Sequence, residues 1–270
     1  MHDSAIIVAQ KRLALIEADA FGGQLMQVSL TQKDIFYQAP AHLHAEGTPR
    51  RGGVPVLFPQ FAISGNFAKH GFARQMPWRI GMGDKNKPEI SGQSWQASLM
   101  ATSAAVQPYL PKGTQDWPHD AALELNVKRG PATLTVSLSV SNIGHTAFSF
   151  TGGLHPYFLW SKGDCSISSD DQNVNRMLSQ NPAKGKVVDE LVGTAERMQI
   201  TMADRKLTLR KFGFKEWMLW NPGPGHSLAD IVPDDWQHYV CLEPISVTQP
   251  HHLAPGDVFV GGFELTVSSI

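Results

Sequence analysis

Residues 133–141 read Thr-Leu-Thr-Val-Ser-Leu-Ser-Val-Ser, a polar–apolar alternation unbroken over nine positions. Successive side chains of an extended chain point to opposite sides, so the pattern fits a strand with one wet face and one buried face; a helix would scatter it. Leu123-Glu124-Leu125-Asn126-Val127 repeats the pattern just upstream, and Arg129-Gly130-Pro131 supplies a turn between the two, which predicts an antiparallel hairpin. Phe148-Ser149-Phe150-Thr151 continues the series, and further strand candidates lie at 23–30, 94–101, 206–211, 216–220, 238–243 and 258–267. Amphipathic helical patterns are scarce. Many short strands separated by turn residues predict an all-β sandwich or barrel. Periodicity does not separate a jelly roll from a larger two-sheet sandwich.

The 24 glycines and 18 prolines are dispersed along the chain and mark no linker, so a single domain over 1–270 is expected. Lys+Arg (23) and Asp+Glu (24) nearly cancel, which removes the global field that nucleic acid or an anionic membrane surface would require. The opening stretch MHDSAIIVAQKRLALIEADA carries acidic residues and no long apolar run, unlike a secretory signal or a membrane span, so a cytoplasmic location is expected. Cys165 and Cys241 lie far apart, match no paired metal or redox spacing, and are expected to be reduced.

Three segments carry residues suited to chemistry. In the first, Arg51-Gly52-Gly53 and Lys69-His70-Gly71-Phe72-Ala73-Arg74 set cations among glycines. Glycine lets a ligand approach the backbone and guanidinium grips phosphate or carboxylate with two bonds, although charges beside turns also serve simply as a solvated rim. In the second, Gly152-Gly153-Leu154-His155-Pro156-Tyr157-Phe158, a histidine is oriented by packing at a bend; it reads as a general acid or as a core histidine with its hydrogen bonds satisfied. The third is Trp217-Met218-Leu219-Trp220-Asn221-Pro222-Gly223, followed by Tyr239-Val240-Cys241-Leu242-Glu243-Pro244. On an extended chain Tyr239, Cys241 and Glu243 share one face, so Glu243 is either a base held by a rigid strand or a rim carboxylate in water. The sequence does not separate a core role from a sugar platform for Trp217 and Trp220. A rival metal reading rests on His42, His44 and Glu46, since alternating histidines with a carboxylate serve as ligands in cupin-type barrels. It lacks a convincing further ligand, because neighbouring His251 and His252 would point to opposite faces of a strand.

Taken in order, the blocks RGGVPVLFPQF (51–61), KHGFARQMPW (69–78), WPHDAALEL (117–125), GGLHPYF (152–158), WNPGPG (220–225) and PDDWQHYVCLEP (233–244) resemble the hexose-6-phosphate mutarotases, or glucose-6-phosphate 1-epimerases, of the aldose 1-epimerase superfamily. The resemblance covers roughly residues 20–265. It implies a large antiparallel, galactose mutarotase-like β-supersandwich. The implied enzyme interconverts the anomers of a hexose 6-phosphate, with neither cofactor nor metal and a small sugar phosphate as its partner. His155 then corresponds to the catalytic acid, Glu243 to the catalytic base, and Arg51 and Arg74 to the phosphate-binding arginines. His70 corresponds to a sugar-binding histidine. Two departures stand out. Lys69 replaces a glutamine and offers a third cation, and Ala195-Glu196-Arg197 stands where the family reads Thr-Asp-Arg, so Glu196 is the expected sugar-hydroxyl ligand. A mutarotase for a neutral aldose and a non-catalytic carbohydrate-binding or sensing protein are the alternatives.

Overall fold

The computed structural model of the chain describes residues 16–81, 94–113, 115–160, 165–177 and 186–270. Residues 1–15, most of the stretch read above for a targeting signal, lie outside it. In chain order the strands are β1 (Ile16–Asp19), β2 (Gln24–Leu30), β3 (Lys33–Asp34), β4 (Val56–Leu57), β5 (Arg79–Gly81) and β6 (Ser94–Ala101). There follow β7 (Ala121–Arg129), β8 (Thr133–Asn142), β9 (Phe148–Leu154), β10 (Tyr157–Leu159), β11 (Ser166–Ser169) and β12 (Val188–Gly193). The last are β13 (Arg197–Thr201), β14 (Arg205–Phe212), β15 (Glu216–Asn221), β16 (Tyr239–Leu253) and β17 (Val258–Ser269).

Two large sheets dominate. The eight-stranded sheet runs β11-β13-β14-β17-β8-β7-β6-β5, and the six-stranded one runs β12-β15-β16-β9-β4 with β10 also paired to β16. The predicted hairpin is β7–β8, antiparallel, with Val127 opposite Val136. Its alternation sorts as physical chemistry requires: Leu134, Val136, Leu138 and Val140 are buried, while the threonines and serines between them are not. Leu207, Leu209 and Leu265 join that buried face, and Trp217, Leu219, Val240 and Leu242 meet it from the six-stranded sheet in one apolar cluster. Truncating a fully buried leucine in such a core to alanine costs about 2–5 kcal/mol.

The six-stranded sheet does not alternate. β16 is buried without a break from Tyr239 to Ser246, so both of its faces are covered. One face is the apolar core just described. On the other, Tyr239 and Cys241 join Tyr37, Tyr157 and Ile231, with Trp220 packed alongside. The two tryptophans therefore part company, Trp217 in the core and Trp220 on the second face.

Candidate active site

β16 pairs with β9 through Ile245 and Gly153, and with β10 through Cys241 and Tyr157. Two residues inward from each pairing, Glu243 on β16 faces His155 at the break between β9 and β10. Groups 88 positions apart in sequence (243 − 155) are thus brought face to face, and His155 Nε2 lies 3.4 Å from Glu243 Oε1. Glycine makes this approach sterically feasible. A Cβ on Gly152, whose φ is +128°, would sit 2.1 Å from the Leu57 carbonyl oxygen, and one on Gly153 would sit 2.3 Å from that of Pro244. Only a chain without side chains at these two positions can lie so tightly between β4 and β16.

Aromatic contacts fix the imidazole. The Tyr157 ring stacks on His155 at 4.8 Å and 8°, Trp220 meets it edge-on at 5.8 Å, and the His70 ring stands 5.7 Å away. His70 has φ +68°, and its Nδ1 accepts a hydrogen bond from the Ala62 backbone N–H at 3.2 Å. Nδ1 is an acceptor there, so the proton of the neutral ring is on Nε2. Arg51 donates to the Tyr157 hydroxyl at 3.0 Å and, through Nε and Nη2, to both oxygens of Asp230 at 3.0 Å each.

His155, Glu243, His70, Arg74, Lys69 and Asp189 line one cavity of about 240 Å³. The Arg74 guanidinium forms no hydrogen bond or ion pair with a described residue, and it also borders a neighbouring cavity of about 330 Å³. Burial dominates the electrostatics. It pushes Glu243 well above the usual carboxylate range, with Asp189 adding to the rise and Lys69 opposing it. It pushes His155 well below the ordinary imidazole range, helped by His70, Arg74 and Arg51, and lowers His70 to about 3. Both shifts favour the uncharged forms of the two groups across the 3.4 Å contact. In those forms the two groups hold one acidic proton and one vacant acceptor. Glu243 Oε2 and His155 Nδ1 are buried and have no hydrogen-bond partner, a cost that a polar ligand in the cavity relieves.

Of the residues singled out in the sequence, His155, Glu243, Arg51, Lys69, His70 and Arg74 all border this cavity. Glu196 does not: its carboxylate faces Arg210 at 3.6 Å and Arg197 at 4.0 Å, beside the eight-stranded sheet. The carboxylate at the cavity besides Glu243 is Asp189 of β12, which sequence reading missed because nothing in Val188-Asp189-Glu190-Leu191 sets that aspartate apart. Its register partner is Trp220, and that pairing is what brings it to the site. The cupin candidates do not converge. His42 lies in a single exposed 3-10 turn, whereas His251 bonds Ser246 and His252 bonds Ser149 on β16 and β9.

The sequence profile of the family described as aldose 1-epimerase matches residues 22–189. A protein of Cenchrus ciliaris, provisionally named a glucose-6-phosphate 1-epimerase, is 28% identical over 240 residues, which span 80% of this chain and 70% of its own. A protein of Salmonella typhimurium with the same provisional name is 27% identical over 223 residues, 76% of this chain and 70% of its own. Among solved structures, a galactose mutarotase-like protein from Clostridium acetobutylicum has a TM-score of 0.70 at 16% identity, with 96% of this chain and 94% of that one covered. The last likeness is one of fold. Among the described residues, no helix is long and apolar enough to cross a membrane.

Proposed function

We propose, because the chain belongs to the aldose 1-epimerase family, that it interconverts the α and β anomers of a hexose 6-phosphate, with glucose 6-phosphate the first substrate to test. The observation that carries this reading is the 3.4 Å opposition of His155 and Glu243 beside a cavity that also holds Arg74, whose guanidinium has no hydrogen-bond or ion-pair partner among the described residues. The provisional names of the two curated relatives support the phosphorylated substrate.

Anomer exchange opens the hemiacetal, turns the C1 aldehyde about C1–C2 and closes the ring on its other face. The C1 hydroxyl must lose a proton while the ring oxygen gains one, and these atoms flank a single carbon. An adjacent acid and base can serve both at once. Glu243 takes the hydroxyl proton and His155 protonates the ring oxygen; reclosure reverses the two transfers. The uncharged form of the pair and the glutamate–imidazolium form that begins this step differ by one proton moved across the 3.4 Å contact. Positioned proton transfer contributes about 10²–10⁴-fold per group. His70, a neutral donor through Nε2, stabilises charge that gathers on the C1 oxygen. Asp189 accepts hydrogen bonds from sugar hydroxyls at the cavity edge.

Arg74 and Lys69 are the cations available to the phosphate, Arg74 being half-buried and Lys69 exposed. Arg51 contributes its charge while engaged by Asp230 and Tyr157. That engagement is the observation favouring the alternative, a neutral aldose, and one assay separates the two. Exchange between the anomers of glucose 6-phosphate and of glucose is followed by NMR exchange spectroscopy, with and without protein and with chelator present. Catalysed exchange of the phosphorylated sugar at far higher kcat/KM, unchanged by chelator, is expected. Equal rates on both sugars would leave the neutral-aldose reading in its place.

A further inference from the structure

Cys241 belongs to no step of the reaction proposed above, yet it shares a strand face with Glu243 and is the register partner of both Tyr157 and Trp220. One ligating atom from each of His155, Cys241 and Glu243 can be chosen so that all three lie within 4.8 Å of one another, and all three residues are buried. We infer that these three side chains form a binding site for a soft divalent cation of the zinc and cadmium class, and that filling it stops turnover.

The geometry needs little adjustment. Any three points no more than 4.8 Å apart fit within a circle of radius about 2.8 Å, while zinc binds sulfur at about 2.3 Å and nitrogen or oxygen at about 2.0–2.2 Å. Contraction by roughly half an ångström per ligand completes the trigonal set. The 240 Å³ cavity, lined by His155 and Glu243, provides the entry path and a water for the fourth position. Charge favours occupancy as well. A thiolate and a carboxylate neutralise a dication while imidazole adds no charge, so the buried complex is neutral. Binding releases the thiol proton and the proton shared by the His155–Glu243 pair to solvent, with no change of oxidation state. Sulfur selects zinc and cadmium over magnesium and calcium. Among the described residues no other three histidine, cysteine, aspartate or glutamate side chains gather in this way.

Binding stands on this geometry alone, whereas inhibition rests on the roles proposed for His155 and Glu243. The test therefore has two readouts on the full chain. Cadmium is titrated into the protein while the thiolate-to-cadmium charge-transfer absorbance is recorded, and turnover of glucose 6-phosphate is followed as zinc is added and then removed by chelator. One equivalent of cadmium should develop the band in wild type and in Cys165→Ala, and Cys241→Ala should not develop it. Zinc should abolish wild-type turnover reversibly. The Cys241→Ala protein should turn over substrate normally and need at least about tenfold more zinc, the lower end of what even an outer-shell change costs in metal affinity. Cys241→Ser serves if the alanine variant does not fold. Absence of the band in wild type, or its persistence without Cys241, overturns the site. A band that forms while turnover continues overturns the inhibition and, with it, the acid–base roles of His155 and Glu243.

Discussion

Acid should unfold this protein through His70 in particular. Burial, then Arg74, Lys69 and Arg51, lower its pKa from 6.5 to about 3. The unfolded chain binds the proton at about pH 6.5 and the folded chain refuses it until about pH 3, so the contribution to stability is complete above 6.5 and is lost as pH falls. At about 1.36 kcal/mol per pH unit the loss reaches ~5 kcal/mol across the whole interval and about 3 kcal/mol by about pH 4. That is a large share of the 5–15 kcal/mol that holds an ordinary domain together (roughly, from). His70→Asn isolates the effect, because asparagine tolerates the φ of +68° at this position and does not titrate. Urea unfolding of both proteins at a series of pH values gives the two stabilities. The substitution also changes stability at neutral pH, so the slope of each curve is what is compared, and wild type should fall more steeply below about pH 6.5. A difference between the two that stays constant to within about 1 kcal/mol from neutral to about pH 4 would refute the reasoning.

Arg74→Ala should cost about 10- to 150-fold in kcat/KM on a hexose 6-phosphate, the equivalent of one charge-assisted contact, and little on the free hexose; equal losses on both would make Arg74 a structural residue. Glu243→Gln and His155→Asn should each lower kcat by about 10²-fold or more while leaving ligand affinity nearly intact, measured by single-turnover exchange and calorimetry. Retention of a tenth of wild-type turnover (roughly, against that range) by Glu243→Gln would contradict its role as base. Gly152→Ala should destabilise the fold by about 1–3 kcal/mol and depress turnover with it, since the new methyl meets the Leu57 carbonyl; unchanged thermal unfolding would show that β9 shifts freely.

Local pattern made the strands legible, and long-range register made the site hard to see. The alternation at 133–141 became β8 almost residue for residue, because a half-buried strand writes its two faces directly into the sequence. β16 was harder. The sequence suggests an end near Glu243, yet the strand runs on through Pro244, which pairs with Trp217, to Leu253, with a register shift between Ser246 and His251 that accommodates Pro250. His155 and Glu243 could each be picked out from their surroundings, but their direct opposition depends on where two separate strands pair with a third. The engagement of Arg51 by Asp230, 179 positions away, has no local signature at all. Glu196 stands in the sequence position of the family's aspartate, whereas Asp189 reaches the cavity through the β12–β15 register. A carboxylate one strand over is invisible to spacing along the chain.

Because His155 sits between two strands that both pair with β16, the strand carrying Glu243, the spacing of the two groups follows from sheet pairing. Lys69 and Arg74, by contrast, lie on the irregular segment between β4 and β5. The proposed reacting pair and the proposed phosphate-binding cations thus lie on different parts of the backbone. On the roles proposed above, substitutions at Lys69 or Arg74 can redirect the protein toward another sugar without moving the backbone that spaces His155 and Glu243, but each also removes a charge that shifts one of those two groups.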